Sequence, residues 1–307
     1  MVIGGYRVGP LLKSTGRQIL EDDVPGLAAQ TAYYLFFSLF PLLLFLTPLV
    51  GIVADERAVI GFVEGRLGRV VGHEALVTIR LAIESVVFAE NAPGLMSTGA
   101  ILAWWSGSNI FGALMEALNT AYDVREQRPW WLRQLLRLGM FLVSVVLMVI
   151  ATVVLLGGED VARWAGALFG ISGATTRAWN LVQFPLAFVF IVLMGFATFY
   201  ILPDVRQSWR TTLVAAVVTA ILWLVTTLLF RIYVQNFANF DRTYGAIGGI
   251  IALLTWMYGT MFVVLSGGEL AAELAHGTGA VRPLRGAIYN GRVMSASGPS
   301  DSSGGWR

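Results

Sequence analysis

The sequence predicts an all-α polytopic membrane protein with six transmembrane helices and amphipathic helices outside the membrane. Composition is the first reason, because 56% of the 307 residues are hydrophobic and 13% are charged, with a mean hydropathy of +0.71. Soluble globular proteins carry about twice that charged fraction. The second reason is a series of apolar runs of about 20 residues or more, the length that crosses a hydrocarbon core. These runs are also too long and too uniformly apolar for the strands of a membrane barrel.

The six predicted spans are joined by connections of unequal length. The spans cover residues 28–53, 95–121, 134–156, 178–202, 211–235 and 245–272. The first connection, residues 54–94, is too long for a turn and has apolar residues at helical spacing, so we predict an amphipathic helix on the outer face. A second, short outer helix is predicted to start at Glu159 and Asp160, since carboxylates favour a helix N-terminus.

Positively charged residues divide unequally between the two sides of the predicted bundle. Thirteen Lys and Arg residues lie before the first span, in the second and fourth connections with their flanks, and after the sixth span. The other three connections carry seven. Because cytoplasmic segments are enriched in Lys and Arg, both termini are predicted to be cytoplasmic.

We predict one membrane domain between two cytoplasmic tails. Residues 1–20 form the N-terminal tail, residues 21–278 the six-helix membrane domain, and residues 279–307 the C-terminal tail. The C-terminal tail is poor in large apolar residues and ends with SASGPSDSSGGWR. Such a composition cannot bury a core, so disorder is predicted there.

Polar side chains recur at helical spacing within the apolar runs. In the second run Asn109, Gly112, Glu116, Asn119 and Asp123 share one helix face. A charged residue at the centre of a membrane helix costs about 2.5–3.5 kcal/mol on insertion scales. We therefore predict that this face points into the bundle or into a wet cavity, away from lipid.

The first and sixth runs carry comparable stripes. In the first run, Pro41 and Pro48 follow the polar stripe and favour bends in the helix. In the sixth run, Gly245 and Gly249 form a G-x-x-x-G that permits close helix contact. The candidate cavity or substrate residues on all the runs are Gln30, Tyr34, Ser38, Asn109, Glu116, Asn119, Arg231, Glu269 and Glu273.

Simpler interpretations of these residues stay open. The amides of Gln30, Asn109 and Asn119 are of the type that joins membrane helices by hydrogen bonds. Glu269 and Glu273 could be solvated at a helix end, and Arg231 could snorkel outward.

Arginines beside the cytoplasmic ends of the spans are candidates to collect anionic lipid head groups. They are Arg125, Arg128, Arg133, Arg206 and Arg210. The positive-inside rule alone also explains their position.

Several classes of function find no support in the sequence. There is no cysteine and there are two histidines, so neither a metal site nor a cofactor is predicted. No P-loop, G-x-G-x-x-G or H-E-x-x-H motif is present. Arginines are scattered along the flanks of the spans rather than gathered into a nucleic-acid surface, so no nucleic-acid partner is expected.

Four segments carry a family resemblance. The first two are AAQTAYYLFFSLFPLLLFL at 28–46 and FGALMEALNTAYDVREQRPWWLRQLL at 111–136. The others are YILPDVRQSWR at 200–210 and YGAIGGIIALLTWMYGTMFVVLSGGELAAEL at 244–274. In this order they resemble the YihY/BrkB family of bacterial inner-membrane proteins. The resemblance implies six helices, cytoplasmic termini and an inner-membrane location. The family has carried the labels ribonuclease BN and virulence factor, with suggested links to envelope lipid export, and the resemblance supplies no catalytic residues.

Two functions fit these features. The first is movement or flipping of an envelope lipid or small amphiphile along a polar interior, with membrane lipids as partners. The second is a non-catalytic scaffold that binds lipids, a second copy of itself or an envelope protein. A metal-dependent tRNA ribonuclease is not expected, because two distant histidines and no soluble domain offer little to hold a metal ion and RNA.

Overall fold

The computed structural model describes residues 2–3, 6–53, 92–156, 172–236, 246–277, 282–283, 288–289 and 292–293. The helices within these residues are α1 Val8–Glu21, α2 Val24–Val53, α3 Ala92–Ala121, α4 Trp130–Leu156, α5 Ser172–Ile201, α6 Trp209–Asn236 and α7 Ala246–Gly277. The all-α prediction is therefore confirmed, and a long helix corresponds to each of the six predicted spans to within a few residues at the ends. That all six cross a membrane stays a prediction.

Five of the long helices are apolar enough to cross a membrane. Their candidate spans are Val24–Phe45, Trp130–Ala151, Val182–Ile201, Trp209–Val234 and Gly248–Gly277. The sixth long helix, α3, is 30 residues long and carries the polar stripe predicted from the sequence. Residues 54–91 and 157–171, where outer amphipathic helices are predicted, lie outside the described residues, so those helices stay predictions.

Short antiparallel strand pairs complete the described chain. β1 Val2–Ile3 pairs with β2 Tyr6–Arg7, β3 Val205–Arg206 with β4 Arg282–Pro283, and β5 Ile288–Tyr289 with β6 Arg292–Val293. β4 belongs to the C-terminal tail, and it pairs with the connection between α5 and α6. Most of that tail lies outside the described residues, and its predicted disorder stays a prediction.

The turn between α1 and α2 is only two residues long and is stabilised by Asp23. This residue has a left-handed backbone, with φ of 49°, and its Oδ1 accepts a hydrogen bond from the Gly26 N–H at 3.3 Å. Asp is among the few non-glycine residues that tolerate this conformation, and its side chain satisfies a donor at the start of α2. α2 then continues as helix through Pro41 and Pro48, and the bends predicted there stay predictions.

The described chain divides into two compact units. The smaller unit comprises residues 33–110, where α2 and α3 approach closely at Gly99, beside the backbone of Leu44 and Phe45. On α2 of this unit the aromatic rings of Tyr33, Phe37 and Phe40 pack together and are exposed.

The larger unit comprises residues 1–32 and 111–307. Within it α6 packs against α5 and α7, α4 packs against α5, and α1 packs against α7. Apolar side chains on these helices face outward, including Met148, Phe184 and Leu229, which are 69%, 68% and 61% exposed. Exposed leucine, methionine and phenylalanine along long helices are what a lipid-facing surface requires.

The close helix contacts of α7 in the described chain lie towards its C-terminal end. Among the described residues no atom lies within 4 Å of a Cβ placed on Gly249, and Gly245 is outside them. Gly267 instead lies against Thr219 of α6, and Gly268 lies against Leu118 of α3. The close contact that the Gly245 and Gly249 spacing permits stays a prediction, because a glycine spacing alone does not tell which turn of a helix meets its neighbour.

The change Gly267→Ala is expected to destabilise the protein. Its Cβ would lie 2.8 Å from Cγ2 and 2.9 Å from Cβ of Thr219, and such overpacking costs about 1–3 kcal/mol. The melting temperature of the detergent-solubilised protein measures the effect. Gly249→Ala on the same helix is the matched control, and it should be neutral or slightly stabilising because alanine favours helix over glycine. Equal melting temperatures for the two variants would contradict the close contact.

Candidate functional site

Helix ends from most of the larger unit meet at one place, which we call the polar end. Tyr122, directly after α3, donates a hydrogen bond from its hydroxyl to Oε1 of Gln207, just before α6. Its ring also lies 6.2 Å from that of His276 near the end of α7. Gln207 in turn donates to the carbonyl of Phe199 in the last turn of α5, at 2.6 Å. α3, α5 and α7 therefore end where α6 begins, which is the alternation that successive membrane spans require.

Four polar side chains at this end form a buried cluster that we call the clamp: Asn119, Glu126, Arg128 and Asp204. Asn119 on α3 accepts a hydrogen bond from the backbone N–H of Asp204 at 2.8 Å and donates one to Glu126 Oε2 at 2.9 Å. The Asp204 carboxylate accepts the backbone N–H of Gln127 at 3.0 Å. The clamp thus joins the connection after α3 to the connection after α5.

Arg128 is the cation of the clamp. Its Nε and Nη2 each lie 2.7 Å from an oxygen of Glu126, which is a bidentate pair. Its two Nη atoms also donate to the carbonyls of Ile201 and Leu202, which are unsatisfied acceptors at the end of α5. Despite partial burial, hydrogen bonds from Arg128 and Asn119 and the charge of Arg128 lower the pKa of Glu126, so the pair stays ionised at neutral pH.

Carboxyl groups gather at a second place on the polar end, the acidic cluster of Asp22, Asp123, Glu269 and Glu273. Glu269 is 2% exposed, and the charges of Asp22, Asp123 and Glu273 act on it. Glu273 accepts a hydrogen bond from Ser14 Oγ at 2.9 Å, which ties α1 to α7.

The change Asp123→Asn is expected to raise the melting temperature at pH 7 and to flatten its pH dependence. Burial first, and then the charges of Asp123 and Glu21, raise the pKa of Asp22, although a hydrogen bond to Glu269 opposes the rise. A carboxyl with a raised folded-state pKa binds protons preferentially in the folded protein. Stability is therefore lost as pH rises from the unfolded pKa through the folded one.

Melting temperatures between pH 4 and pH 8 test this expectation. Asparagine tolerates the left-handed backbone at position 123, where φ is 53°, so the change removes charge without backbone strain. Asp23→Asn is the matched control, since Asp23 has a similar φ and lies outside the acidic cluster. An unchanged pH profile in Asp123→Asn would contradict the effect of Asp123 on Asp22.

A cavity of about 330 Å³ lies between the C-terminal half of α3 and the first turns of α4. Its lining includes Gly112, Glu116, Asn119, Glu126, Arg133 and Arg137. Glu116 is exposed, so the cavity has an open side. Nε of Arg133 and Nε of Arg137 are buried and have no hydrogen-bond partner among the described residues.

The structure separates several of the predicted cavity residues. Glu116 and Asn119 line the cavity, whereas Glu269 and Glu273 belong to the acidic cluster. Gln30 and Arg231 are exposed. The remaining three candidates, Tyr34, Ser38 and Asn109, lie in the smaller unit, where the Ser38 hydroxyl bonds the Leu35 carbonyl of its own helix.

The arginines predicted to collect head groups also separate. Arg125, Arg206 and Arg210 are exposed, and Arg210 stacks over Trp209 at 5.4 Å. Arg133 lines the cavity. Arg128 is committed to the clamp, because Glu126 and two backbone carbonyls occupy its donors, so we no longer count it as a head-group candidate.

Sequence reasoning missed Arg137, Glu126, Asp204 and Gln207 as members of the site. Arg137 was visible as a partner of Arg133 one helical turn later, a spacing that puts both side chains on one face. The other three residues lie in short connections between helices: Glu126, Asp204 and Gln207. Connections have no helical spacing from which their long-range contacts could be predicted.

Apolar helices with outward-facing apolar side chains, closed at one end by a polar cluster, define an integral membrane protein of the polytopic α-helical class. The chain belongs to the BrkB family: the family profile described as "Virulence factor BrkB" matches residues 15–287. This confirms the resemblance found in the sequence.

Curated relatives agree with the family. YfkH of Bacillus subtilis (strain 168), whose name describes it as ribonuclease-like, is 31% identical over 250 residues, which are 80% of this chain and 88% of YfkH. A UPF0761 membrane protein of Cronobacter sakazakii is 27% identical over 290 residues, 87% of this chain and 90% of that protein. One of Psychromonas ingrahamii is 24% identical over 262 residues, 84% and 85% of the two chains. No solved structure matches.

Proposed function

We propose that this protein moves an envelope lipid or another small amphiphile across the bacterial inner membrane. The observation that carries the proposal is the charged cavity between α3 and α4, next to helices with outward-facing apolar side chains. Two arginine Nε atoms in it are buried and have no hydrogen-bond partner in the described part of the chain. A polar head group fits the cavity, while apolar tails fit the outward-facing leucine, methionine and phenylalanine side chains.

The proposal includes an orientation. Six helices cross the membrane, and both termini and the polar end lie on the cytoplasmic side, where the sequence concentrates Lys and Arg. Trp130 and Trp131 at the start of α4 are exposed, and tryptophans are enriched at the membrane–water interface. The cavity beside them then lies at the depth of the cytoplasmic head groups.

Movement in this proposal needs no nucleotide hydrolysis by the chain itself, since no P-loop is present in the sequence. Transport is passive, coupled to an ion gradient or driven by a partner. The acidic cluster brings carboxyls together and raises the pKa of Asp22 by burial and by the charge of Asp123, which is chemistry that proton coupling would use.

A scaffold that binds lipids or proteins without moving them is the second candidate. The clamp favours it, because Asn119 and Arg128 are satisfied within the protein and hold helix ends together rather than lining an open route. Both functions use the same cavity, and they differ in whether bound lipid crosses the bilayer.

We do not propose a ribonuclease. The ribonuclease-like description belongs to the name of YfkH. Among the described residues no three His, Cys, Asp or Glu side chains come together in a way that could hold a metal ion, so the donor set gives a metal-dependent nuclease no support.

A scrambling assay tests the proposal. Purified protein is reconstituted into liposomes that contain a trace of fluorescently labelled phospholipid, and dithionite is added outside. Transport predicts that more than the outer-leaflet half of the fluorescence is quenched, with and without an imposed pH gradient as separate arms. Quenching identical to that of protein-free liposomes in both arms would reject transport and favour the scaffold.

A further inference from the structure

We propose that the cavity between α3 and α4 binds a zwitterionic head group of the phosphoethanolamine kind, with its phosphate on Arg133 and Arg137 and its ammonium group beside Glu116. This inference names the substrate class of the proposed function and in that respect rests on it. The binding site itself can be tested without any measurement of transport.

Two arginines supply the phosphate-binding half of the proposed site. Arg133 and Arg137 are four residues apart on α4, so their side chains lie on the same helix face. Neither is within salt-bridge distance of a carboxylate in the described part of the chain, and the Nε of each is buried without a hydrogen-bond partner there. Leaving a buried donor unsatisfied costs about 1–3 kcal/mol, and more when the group is charged. Two such arginines in one cavity favour an acceptor that none of the described residues supplies.

Gly112 of α3 makes the space that the Arg137 guanidinium occupies. A Cβ at position 112 would lie 2.9 Å from Cζ and 3.0 Å from Nε of Arg137. The absence of a side chain therefore lets a planar guanidinium lie flat against α3. Arginine presents its donors as a fork that matches two phosphate oxygens, so a phosphate is the acceptor that this geometry fits best.

Glu116 favours a zwitterionic ligand over a purely anionic one. Its carboxylate lines the same cavity, is exposed, and has no hydrogen-bond partner among the described residues, whereas Glu126 is already occupied by Arg128 and Asn119. A purely anionic ligand would be repelled by Glu116. A ligand that carries both a phosphate and an ammonium group satisfies the two arginines and the free carboxylate together.

The surroundings favour a lipid over a soluble compound as the source of this head group. Trp130 and Trp131 flank the first turn of α4, and Leu135 and Leu142 further along it are exposed. A head group in the cavity would thus continue into tails that lie along the apolar surface of α4. The cavity volume of about 330 Å³ is at the small end of the range for ligand pockets, which suits a compact head group.

Binding to the detergent-solubilised full chain tests the inference. The Kd is measured by microscale thermophoresis for dihexanoyl phosphatidylethanolamine, dihexanoyl phosphatidylglycerol, dihexanoylglycerol and glycerophosphoethanolamine. We expect phosphatidylethanolamine to bind about two- to fivefold more tightly than phosphatidylglycerol, the gain that an exposed ion pair gives. Dihexanoylglycerol should not bind measurably, because it has no phosphate.

Variants separate the roles of the residues. The double change Arg133→Gln with Arg137→Gln should weaken binding of both phospholipids by about tenfold or more. The reason is that the phosphate of either lipid loses its charge-assisted hydrogen bonds to the arginines. Glu116→Gln, at an exposed position that should not disturb folding, should remove the preference for phosphatidylethanolamine and leave phosphatidylglycerol binding intact or stronger. Lys13→Gln with Arg17→Gln on α1 is the matched control of equal charge loss at exposed positions outside the cavity, and it should bind like the wild type.

Three results would overturn the inference. They are wild-type affinity in the Arg133 and Arg137 double variant, an unchanged lipid preference in Glu116→Gln, and binding of glycerophosphoethanolamine as tight as that of the lipid, which would make the ligand a soluble compound. Failure of transport is a separate outcome. Lipid binding with the expected variant pattern but without scrambling would reject the proposed function and leave this site in place.

Discussion

Replacing Arg128 with methionine is expected to lower the free energy of unfolding of the detergent-solubilised protein by about 3–5 kcal/mol, the cost of removing one partner of a buried ion pair. Methionine fills much of the same space, so the loss is electrostatic. It leaves Glu126 without its bidentate partner and leaves the carbonyls of Ile201 and Leu202 without donors. Unfolding by titration with a denaturing detergent, followed by circular dichroism, gives the measurement.

Two further variants make this expectation specific. Arg125→Met removes a neighbouring arginine that is exposed, and it should change the free energy of unfolding by less than about 0.5 kcal/mol. Arg128→Lys keeps the charge but cannot make the same paired contacts, so its stability should fall between those of the wild type and Arg128→Met. Similar stabilities for Arg128→Met and Arg125→Met would show that the clamp does not hold the helix ends.

The change Asn119→Leu is expected to cost about 2–4 kcal/mol of folding free energy, because it strands the buried backbone N–H of Asp204 and removes a donor from Glu126. Leucine is more apolar than asparagine and would suit lipid better, so a destabilised variant would mean that the amide is needed for folding. The yield of monodisperse protein on gel filtration and the melting temperature both report the effect.

Thr120→Val is the matched control for Asn119→Leu. It changes the next residue of α3, which is exposed and whose hydroxyl donates a hydrogen bond to the Glu116 carbonyl one turn earlier, at 3.1 Å. Its stability should match the wild type. If Asn119→Leu folds with full stability and yet abolishes lipid movement, Asn119 would belong to the route itself rather than to the clamp.

The helices could be predicted from the sequence because the bilayer imposes their length and composition. Each apolar run became a helix, with starts that differ from the predicted ones by a few residues. The start of α4 at Trp130 rather than at residue 134 is an example, because an interfacial tryptophan and arginine can begin a helix before its apolar part does. In the polar stripe of α3 Asn119 is buried and Glu116 is exposed, so avoidance of lipid by the whole stripe stays a prediction.

The contacts between connections could not be predicted. Asn109, Glu116 and Asn119 share one face of α3 in the sequence pattern, yet Asn119 belongs to the clamp and Glu116 faces an open cavity. Helical spacing gives the direction of a side chain but not the identity of what approaches it. Asp204 and Gln207 bond to Asn119 and Tyr122, and each pair is separated by 85 residues along the chain.

Gln207 has a mechanical consequence for any movement of the helices. The Gln207 side chain accepts hydrogen bonds from Tyr122 and Thr212 and donates one to the Phe199 carbonyl. It therefore joins the ends of α3 and α5 to the start of α6 at the polar end. These three helices cannot separate at the polar end without breaking these part-buried hydrogen bonds. A lipid moved as proposed above would therefore pass sideways between α3 and α4, or between helices that separate at their opposite ends.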